Sequence, residues 1–427
     1  MIEVNPEDKD SPVGEKMDVI PKKIILISVD TLRADHLGCY GYKKNTSPAI
    51  DLLASSSLLF RHAFSAAPFT IPSHASMLTG KYPSHHSLGF NQRDGQLDTD
   101  SDVTLAEMLR ANNYATAGFV SCMVLRSDTH LNSGFDVYDD DQPSHELNRP
   151  DVLTRKGAET IKKSIAWIQE NRDNNFFLFI HLFDTHGAYS CPEEYLDIFL
   201  GDPDYYQGCH VRPSYTNWAE NPQTSVIPHH QLILREKSPD CTQYETDAGY
   251  YIARYDACVR YVNDTLYTFF MQLKELGIFD DCLIILTSDH GESFGENDIY
   301  FCHGLTVSRE QIHIPLIIKP HKGWAEPQEI DIHVSSIDLM PTILDLCNIR
   351  LSGTDGASLK RLVECKSDPD LENRILLSEN ERQVAQIFPD GSLVLHRKDT
   401  IPSSYYGSIP EVIEKLDGIH ENWKRTS

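Results

Sequence analysis

The sequence predicts an α/β fold, a mostly parallel, doubly wound sheet flanked by helices, with a small antiparallel subdomain near the C-terminal end. Three observations predict it. Short, β-branched apolar runs recur along the chain, and each ends at acids or histidines. Amphipathic helical stretches lie between those runs, the alternation that builds parallel sheets. The chain has 427 residues, 40% hydrophobic and 24% charged, within the range of an ordinary globular protein and long enough for one large domain with a smaller one appended.

The first run follows Lys22 and Lys23 and covers Ile24, Ile25, Leu26, Ile27, Ser28 and Val29, ending at Asp30. A run this short and β-branched reads as a strand covered on both faces. Asp30 then falls at the carboxyl edge of the sheet, where open α/β folds bind ligands. Phe176 to Leu182 is a second such strand, stopping short of Asp184, and Leu283 to Leu286 a third, running out into Thr287, Ser288, Asp289 and His290. A helix is expected over 154–171 after Pro150. A longer one is expected from about Thr246 to Leu276, with apolar spacing through Ile252, Tyr255, Val259, Val262, Leu266, Phe269 and Leu273. Residues 187–245 carry six prolines among Tyr, Asn and Gly and read as a long irregular excursion. Loops of that length in a compact domain usually have functional duties. The organisation expected is a polar tail over 1–21, a catalytic α/β domain over 22–364 and the small subdomain over 365–427. Short alternating runs around Pro389-Asp390-Gly391 mark that subdomain as antiparallel.

The net charge of −25 argues against nucleic acid and anionic membranes as partners, since both require a basic footprint. An anionic substrate would need a local positive centre such as a metal ion. Ten scattered cysteines without a C-x-x-C pair suggest reduced thiols. The polar, acid-rich start lacks the apolar core of a signal peptide, and no run reaches the roughly 18 apolar residues of a membrane span. The expectation is a cytoplasmic protein with no membrane span; the sequence leaves its oligomeric state open.

Three blocks can carry chemistry, each with a plainer reading beside it. Asp30 can bind a cation or cap the next helix. In Asp289-His290-Gly291-Glu292 an adjacent carboxylate and imidazole can face one divalent metal, or form a polar loop with a satisfied histidine. In Ala67–Gly80, Pro72 and Ser73 read as a helix start with the hydroxyls of Thr70 and Ser73 near it. A hydroxyl there that touches a metal becomes a nucleophile. Alternatively, Thr70 simply caps the helix.

Together these blocks resemble the sulfatase family. ISVDTLRADHLGCYGY resembles its first metal-binding segment, PFTIPSHASMLTGKYP its nucleophile signature, and YDACVRYVNDTLYTFFMQLKELGIFDDCLIILTSDHGESFGE the approach to its second pair of ligands. IPLIIKP, SSIDLMPTILDLCNI and Asp355-Gly356 resemble the close of its core, so the likeness runs over about residues 22–362. It implies an alkaline phosphatase-like fold and an ester hydrolase or group transferase acting on a small anionic ester. Asp30, Asp289, His290 and Thr70 would bind one divalent cation, calcium, manganese, magnesium or zinc, with Thr70 also the nucleophile. His186 and His303 would act as general acid or charge stabilisers. Ser73, His74 and Asp184 would touch substrate. A second ion held by Asp184, His186 and His303 is the alternative to one.

Four departures shape the chemistry. Thr31 stands where many sulfatases have a second aspartate, and His74 where they have an arginine. The segment Asn113 to Leu125 lacks the family's lysine and histidine. Thr70 cannot give the formylglycine aldehyde made from cysteine or serine, because its extra methyl would leave a ketone. Threonine nucleophiles occur in the family's phosphate-handling relatives, so attack on a phosphate ester is the leading expectation. The alternatives are a sulfuric ester hydrolase working without formylglycine and a catalytically silent, anion-binding member. The pairs His85-His86 and His229-His230 read as surface residues.

Overall fold

The computed structural model describes residues 20–90, 95–215, 223–234 and 244–398; most of the expected N-terminal tail and residues 399–427 lie outside them. Along the chain come β1 (Lys23–Val29), β2 (Leu58–Phe64) and α1 (Thr70–Thr79), then α2 (Leu105–Ala111), β3 (Ala115–Val120) and β4 (Val137–Asp139). A short hairpin of β5 (Ser144–Glu146) and β6 (Arg149–Thr154) precedes α3 (Gly157–Asn171), β7 (Phe176–Leu182) and α4 (Glu193–Leu200). The long α5 (Ala248–Glu275) leads into β8 (Cys282–Thr287), β9 (His313–Lys319), β10 (Gln328–Ile330) and α6 (Leu339–Leu346). A three-stranded antiparallel sheet closes the described chain: β11 (Leu376–Glu379), β12 (Gln383–Ile387) and β13 (Leu393–Arg397).

The main sheet has nine strands in the order β10-β2-β9-β8-β1-β7-β3-β4, with residues 334–335 also pairing with β2. From β8 to β4 every neighbouring pair is parallel, while β9 runs antiparallel to both β8 and β2. Period-two alternation sends Ile24 and Leu26 into one apolar core with α1, α2 and α6. Ile25, Ile27 and Val29 enter the other core with α3 and α5. Because both faces are covered, β1 is an unbroken apolar run. Its isoleucines are inaccessible to solvent, each contributing about 1.5–3 kcal/mol of hydrophobic stabilisation.

The three strands expected from the sequence form at those places. α1 begins at Thr70, two residues before the expected Pro72 start, and ends where Gly80 takes a left-handed φ of 67° as its C-cap. Helix α3 starts at Gly157 instead of residue 154, because 149–154 pairs as β6. The excursion holds more structure than expected, including α4 and a two-residue pairing of 212–213 with 226–227. The closing sheet packs through Leu376, Ala385 and Ile387 on Phe64, Val307 and Ile312. Every described cysteine carries a free thiol. Among the described residues no helix is long and apolar enough to cross a membrane.

Candidate active site

Three parallel strands end together, and that register makes the site. Ser28 of β1 pairs with His181 of β7 on one side and with Thr287 of β8 on the other, and the Asp30 N–H donates to the Leu182 carbonyl at 2.9 Å. Asp30, His181 and the Asp289-His290 turn are thereby brought to one point on the sheet's carboxyl edge. One donor atom each from Asp30, Asp289 and His290 lies within 4.8 Å of the others, and all three residues are buried. Asp289 Oδ1 is taken up by the N–H groups of Thr31 (3.2 Å) and His290 (2.9 Å). Its Oδ2 has no hydrogen-bond partner, and neither does Asp30 Oδ1. Buried carboxylate oxygens without donors carry a heavy desolvation cost, which a divalent cation would offset. The donor set therefore fits such an ion.

The electrostatics agree. Burial alone would raise Asp30, but the hydrogen bond from His181 (3.2 Å) and the nearby His186 and His290 hold it well below the usual carboxylate range. Burial, and then the charge of Asp30, push Asp289 up to about 6. The charge of Asp30 thus opposes ionisation of Asp289, a repulsion that a divalent cation would relieve.

Helix α1 delivers Thr70 to this cluster. Its Oγ1 lies 3.3 Å from Asp30 Oδ2 and 3.3 Å from His290 Nε2, and it makes no capping bond, which removes the cap reading. The same helix turns Ser73 and His74 inward. Ser73 Oγ donates to the Asp289 carbonyl at 2.7 Å. His74 bridges the Thr70 carbonyl (2.7 Å) and Ser28 Oγ (3.0 Å). Both are fully buried, so they anchor α1 beneath the cluster and do not face the cavity where the sequence reading put them as substrate contacts. Burial, and then the neighbouring His181, push His74 down to about 3, a neutral ring with no substitute for the missing arginine charge. Thr31 adopts a left-handed φ of 55° and gives its hydroxyl to the Thr185 carbonyl, so its side chain supplies no ligand in place of an aspartate.

Asp184 is likewise turned away: its Oδ2 accepts the Gly157 N–H at 2.9 Å at the start of α3. It does not converge with His186 and His303, and among the described residues no second metal-competent set forms.

In front of Thr70 opens a cavity of about 1510 Å³. His186 and His303 stand on its wall with ring centroids 5.3 Å apart, and the His303 ring lies 4.3 Å from that of His290. Each is backed by a buried carboxylate, Glu146 or Glu292, to which the sequence reading gave no such role. His186 Nδ1 lies 3.2 Å from Glu146, and His303 Nδ1 lies 3.1 Å from Glu292, whose other oxygen accepts the Tyr189 hydroxyl at 3.2 Å. Burial lowers His303 to about 4. Burial also opposes the charge on His186, but the Glu146 hydrogen bond and the charges of Asp30 and Glu146 outweigh it and lift His186 to about 9. Arg126, Arg149 and Arg382 line the cavity together with Asp128, Asp151 and Glu381, and Arg126 is paired with Asp128 and Arg149 with Glu146. Met123 and Val124 line it in the segment where the family's lysine and histidine are absent. Of the paired histidines His86 departs from the surface reading, being only 4% exposed, whereas His229 is exposed and, with the half-buried His230, lines the cavity.

The family model described as Sulfatase matches residues 22–349. An ulvan-active sulfatase of Formosa agariphila is 24% identical, covering 87% of this chain and 70% of the relative. The human N-sulphoglucosamine sulphohydrolase is 26% identical over 73% of this chain, which spans 58% of that protein's length. In fold, the chain matches the phosphonate monoester hydrolase of Agrobacterium radiobacter with a TM-score of 0.64 at 20% identity, covering 94% of this chain and 95% of that one. It also matches a protein solved in complex with its substrate D-glucosamine-2-N,6-O-disulfate, with a TM-score of 0.69 at 18% identity over 96% and 97% of the two chains. The family match over most of the chain, on a sheet whose edge gathers Asp30, Thr70, Asp289 and His290, establishes that the protein belongs to the sulfatase family and is a sulfatase-like ester hydrolase of the alkaline phosphatase superfamily.

Proposed function

We propose that the protein cleaves or transfers the phosphoryl group of a small phosphate ester, with Thr70 as nucleophile and Asp30, Asp289 and His290 holding one divalent cation. The observation that carries this reading is the position of Thr70 Oγ1, 3.3 Å from both Asp30 and His290, in a residue that lines the cavity. When bound, the cation would lower the pKa of the Thr70 hydroxyl and neutralise charge on the ester oxygens. Phosphate is favoured over sulfate by the side chain itself, since threonine cannot be converted to formylglycine whereas its alkoxide can attack phosphorus.

In this scheme the Thr70 proton passes to solvent and Oγ1 forms a bond to phosphorus opposite the leaving oxygen. The bond to the leaving oxygen breaks with its electron pair on that oxygen, which takes a proton from His186 Nε2. Water, or an acceptor alcohol, then attacks the phosphothreonine and gives its proton to the now neutral His186. The electron pair of the P–Oγ1 bond returns to Thr70. His303, uncharged, orients the attacking water through Nε2. In a chain whose net charge is −25, the bound cation and the protonated His186 would supply the local positive charge that an anionic ester needs.

The test is turnover of aryl phosphate diesters against aryl sulfates with manganese or zinc supplied, followed by mass spectrometry for a phosphoryl adduct on the peptide bearing Thr70. The expected outcome is phosphodiester turnover with that adduct, and Thr70→Ala falling at least a thousandfold, on the order of the loss when a nucleophile is removed. Full turnover in Thr70→Ala sinks the mechanism. The kinship with named sulfatases favours sulfate ester hydrolysis without formylglycine as the second reading, recognised by aryl sulfate turnover and no adduct. A cytoplasmic, reducing setting fits the free thiols.

A further inference from the structure

Outside the cation cluster, the structure surrounds one cavity histidine with a device that neither the family match nor the proposed chemistry accounts for. His186 Nδ1 faces two acceptors, Glu146 Oε1 at 3.2 Å and the Gly187 carbonyl at 3.0 Å. With acceptors on both sides, Nδ1 must carry a proton. Nε2 is therefore the ring nitrogen left for the cavity. The Phe183 ring stacks on the imidazole at a centroid distance of 4.2 Å and fixes its plane.

Glu146 is itself held rigidly. It is 8% exposed, and the Arg149 guanidinium clamps it through both carboxylate oxygens, donating to Oε1 at 2.8 Å and also to Oε2. It sits at the end of β5, and the turn that follows is fastened to the excursion. Asn148 Nδ2 donates to the carbonyls of His230 (3.0 Å) and Leu232 (2.8 Å). At the base of the hairpin Ser144 pairs with Thr154, which also bridges to Cys122 beside β3. A buried carboxylate clamped on a pinned hairpin and aimed at one ring nitrogen is a costly arrangement unless the ring benefits from it.

Resting on the phosphate ester reading above, we propose that Glu146 is a positioning residue for the reaction: through Nδ1 it holds His186 as an oriented imidazolium whose Nε2–H is aimed at the leaving oxygen. When the ester bond breaks, that proton follows the electron pair onto the leaving oxygen. The ring remains neutral and hydrogen-bonded to Glu146 until the incoming water or alcohol returns a proton to Nε2. Arg149 keeps the carboxylate in place and touches His186 only through it.

The test compares wild type, Glu146→Gln and Glu146→Asp on two phosphodiesters, one leaving an alkoxide and one leaving nitrophenolate, which needs no proton. Glu146→Gln is expected to lower kcat for the alkyl ester by roughly a hundredfold, the lower end of what general acid catalysis supplies, with the nitrophenyl ester reduced only a few-fold. Glu146→Asp, which keeps the charge, is expected to recover part of the loss, and the His186 ring resonances in NMR are expected to titrate at lower pH in Glu146→Gln than in wild type. An equal loss on both esters would mean a merely structural carboxylate and would overturn the proposal, as would no loss on either. If wild type turns over neither ester, the phosphate reading fails separately, and the His186 titration alone decides: a midpoint unmoved by Glu146→Gln refutes the role of Glu146.

Discussion

The unshared oxygen of Asp289 is the residue-scale feature with the sharpest consequence. Its Oδ1 is taken up by backbone N–H groups, while its Oδ2 makes no hydrogen bond and lies 3.4 Å from His290 Nε2. An asparagine keeps the Oδ1 contacts and removes one of two repelling acids. Because folding raises this carboxyl to about 6, stability is lost as pH rises through that value, and the amide escapes the loss. Metal-free Asp289→Asn is therefore expected to be more stable than wild type at pH 8, on the order of 1–3 kcal/mol by urea denaturation. In the same experiment it should lose the rise in melting temperature that manganese or zinc gives wild type. A destabilised variant that still responds to metal would contradict the cluster. Asp30, Thr70, Asp289 and His290 were singled out in the sequence because each sits at a strand exit or helix start and the segments around them resemble the sulfatase family; position alone left a plainer reading open for each. His181 was not: it lies inside an apolar run, and only the register with Ser28 sets it beside Asp30. Glu146 gave no local sign either, since its partner is 40 residues away and tertiary placement alone unites them.

At the scale of elements, α1 and the loop after His303 lock together. Gly304 has a φ of 84°, and a Cβ there would fall 1.8 Å from the Phe69 ring, the residue that precedes α1. Its N–H donates to Gln311 at 2.7 Å, and its carbonyl accepts from Asn380 in the β11–β12 turn at 3.0 Å. Gly304→Ala is expected to cost about 1–3 kcal/mol from the left-handed backbone alone. It should also displace Phe69, lowering kcat/KM with Thr70 intact; unchanged kinetics would show that this contact does not place α1. The strands and long helices were legible from periodicity. The facing of α1 was not, because Ser73 and His74 follow the nucleophile in sequence while the helical turn carries them round to the buried side. α4 was hidden by the prolines and glycines on either side of it.

For the whole molecule, the parallel sheet follows from the apolar runs, whereas the antiparallel β9 and the seating of the closing sheet depend on long-range pairing that no local pattern encodes. One link across the fold is pH-sensitive. His85, after α1, bonds Asp355 at 2.9 Å, and that bond raises the imidazole above its ordinary 6.5 although burial opposes it. A raised histidine contributes stability that is fully present below pH 6.5 and is lost as pH rises through the folded value. His85→Ala should flatten the decline in melting temperature over that window, and an unchanged slope would show that the pair is too solvated to matter.

The partners in the cluster are drawn from opposite ends of the sequence: the Thr31 N–H and the Asp289 carboxylate that it steadies are 258 positions apart. Contacts of such reach form only after many intervening segments have found their places, and chains rich in them fold slowly. A cation held by Asp30, Asp289 and His290 would thus bind late in folding, once β8 has docked against β1 and brought its ligands together. Such an ion would stabilise the completed sheet and no shorter fragment of it.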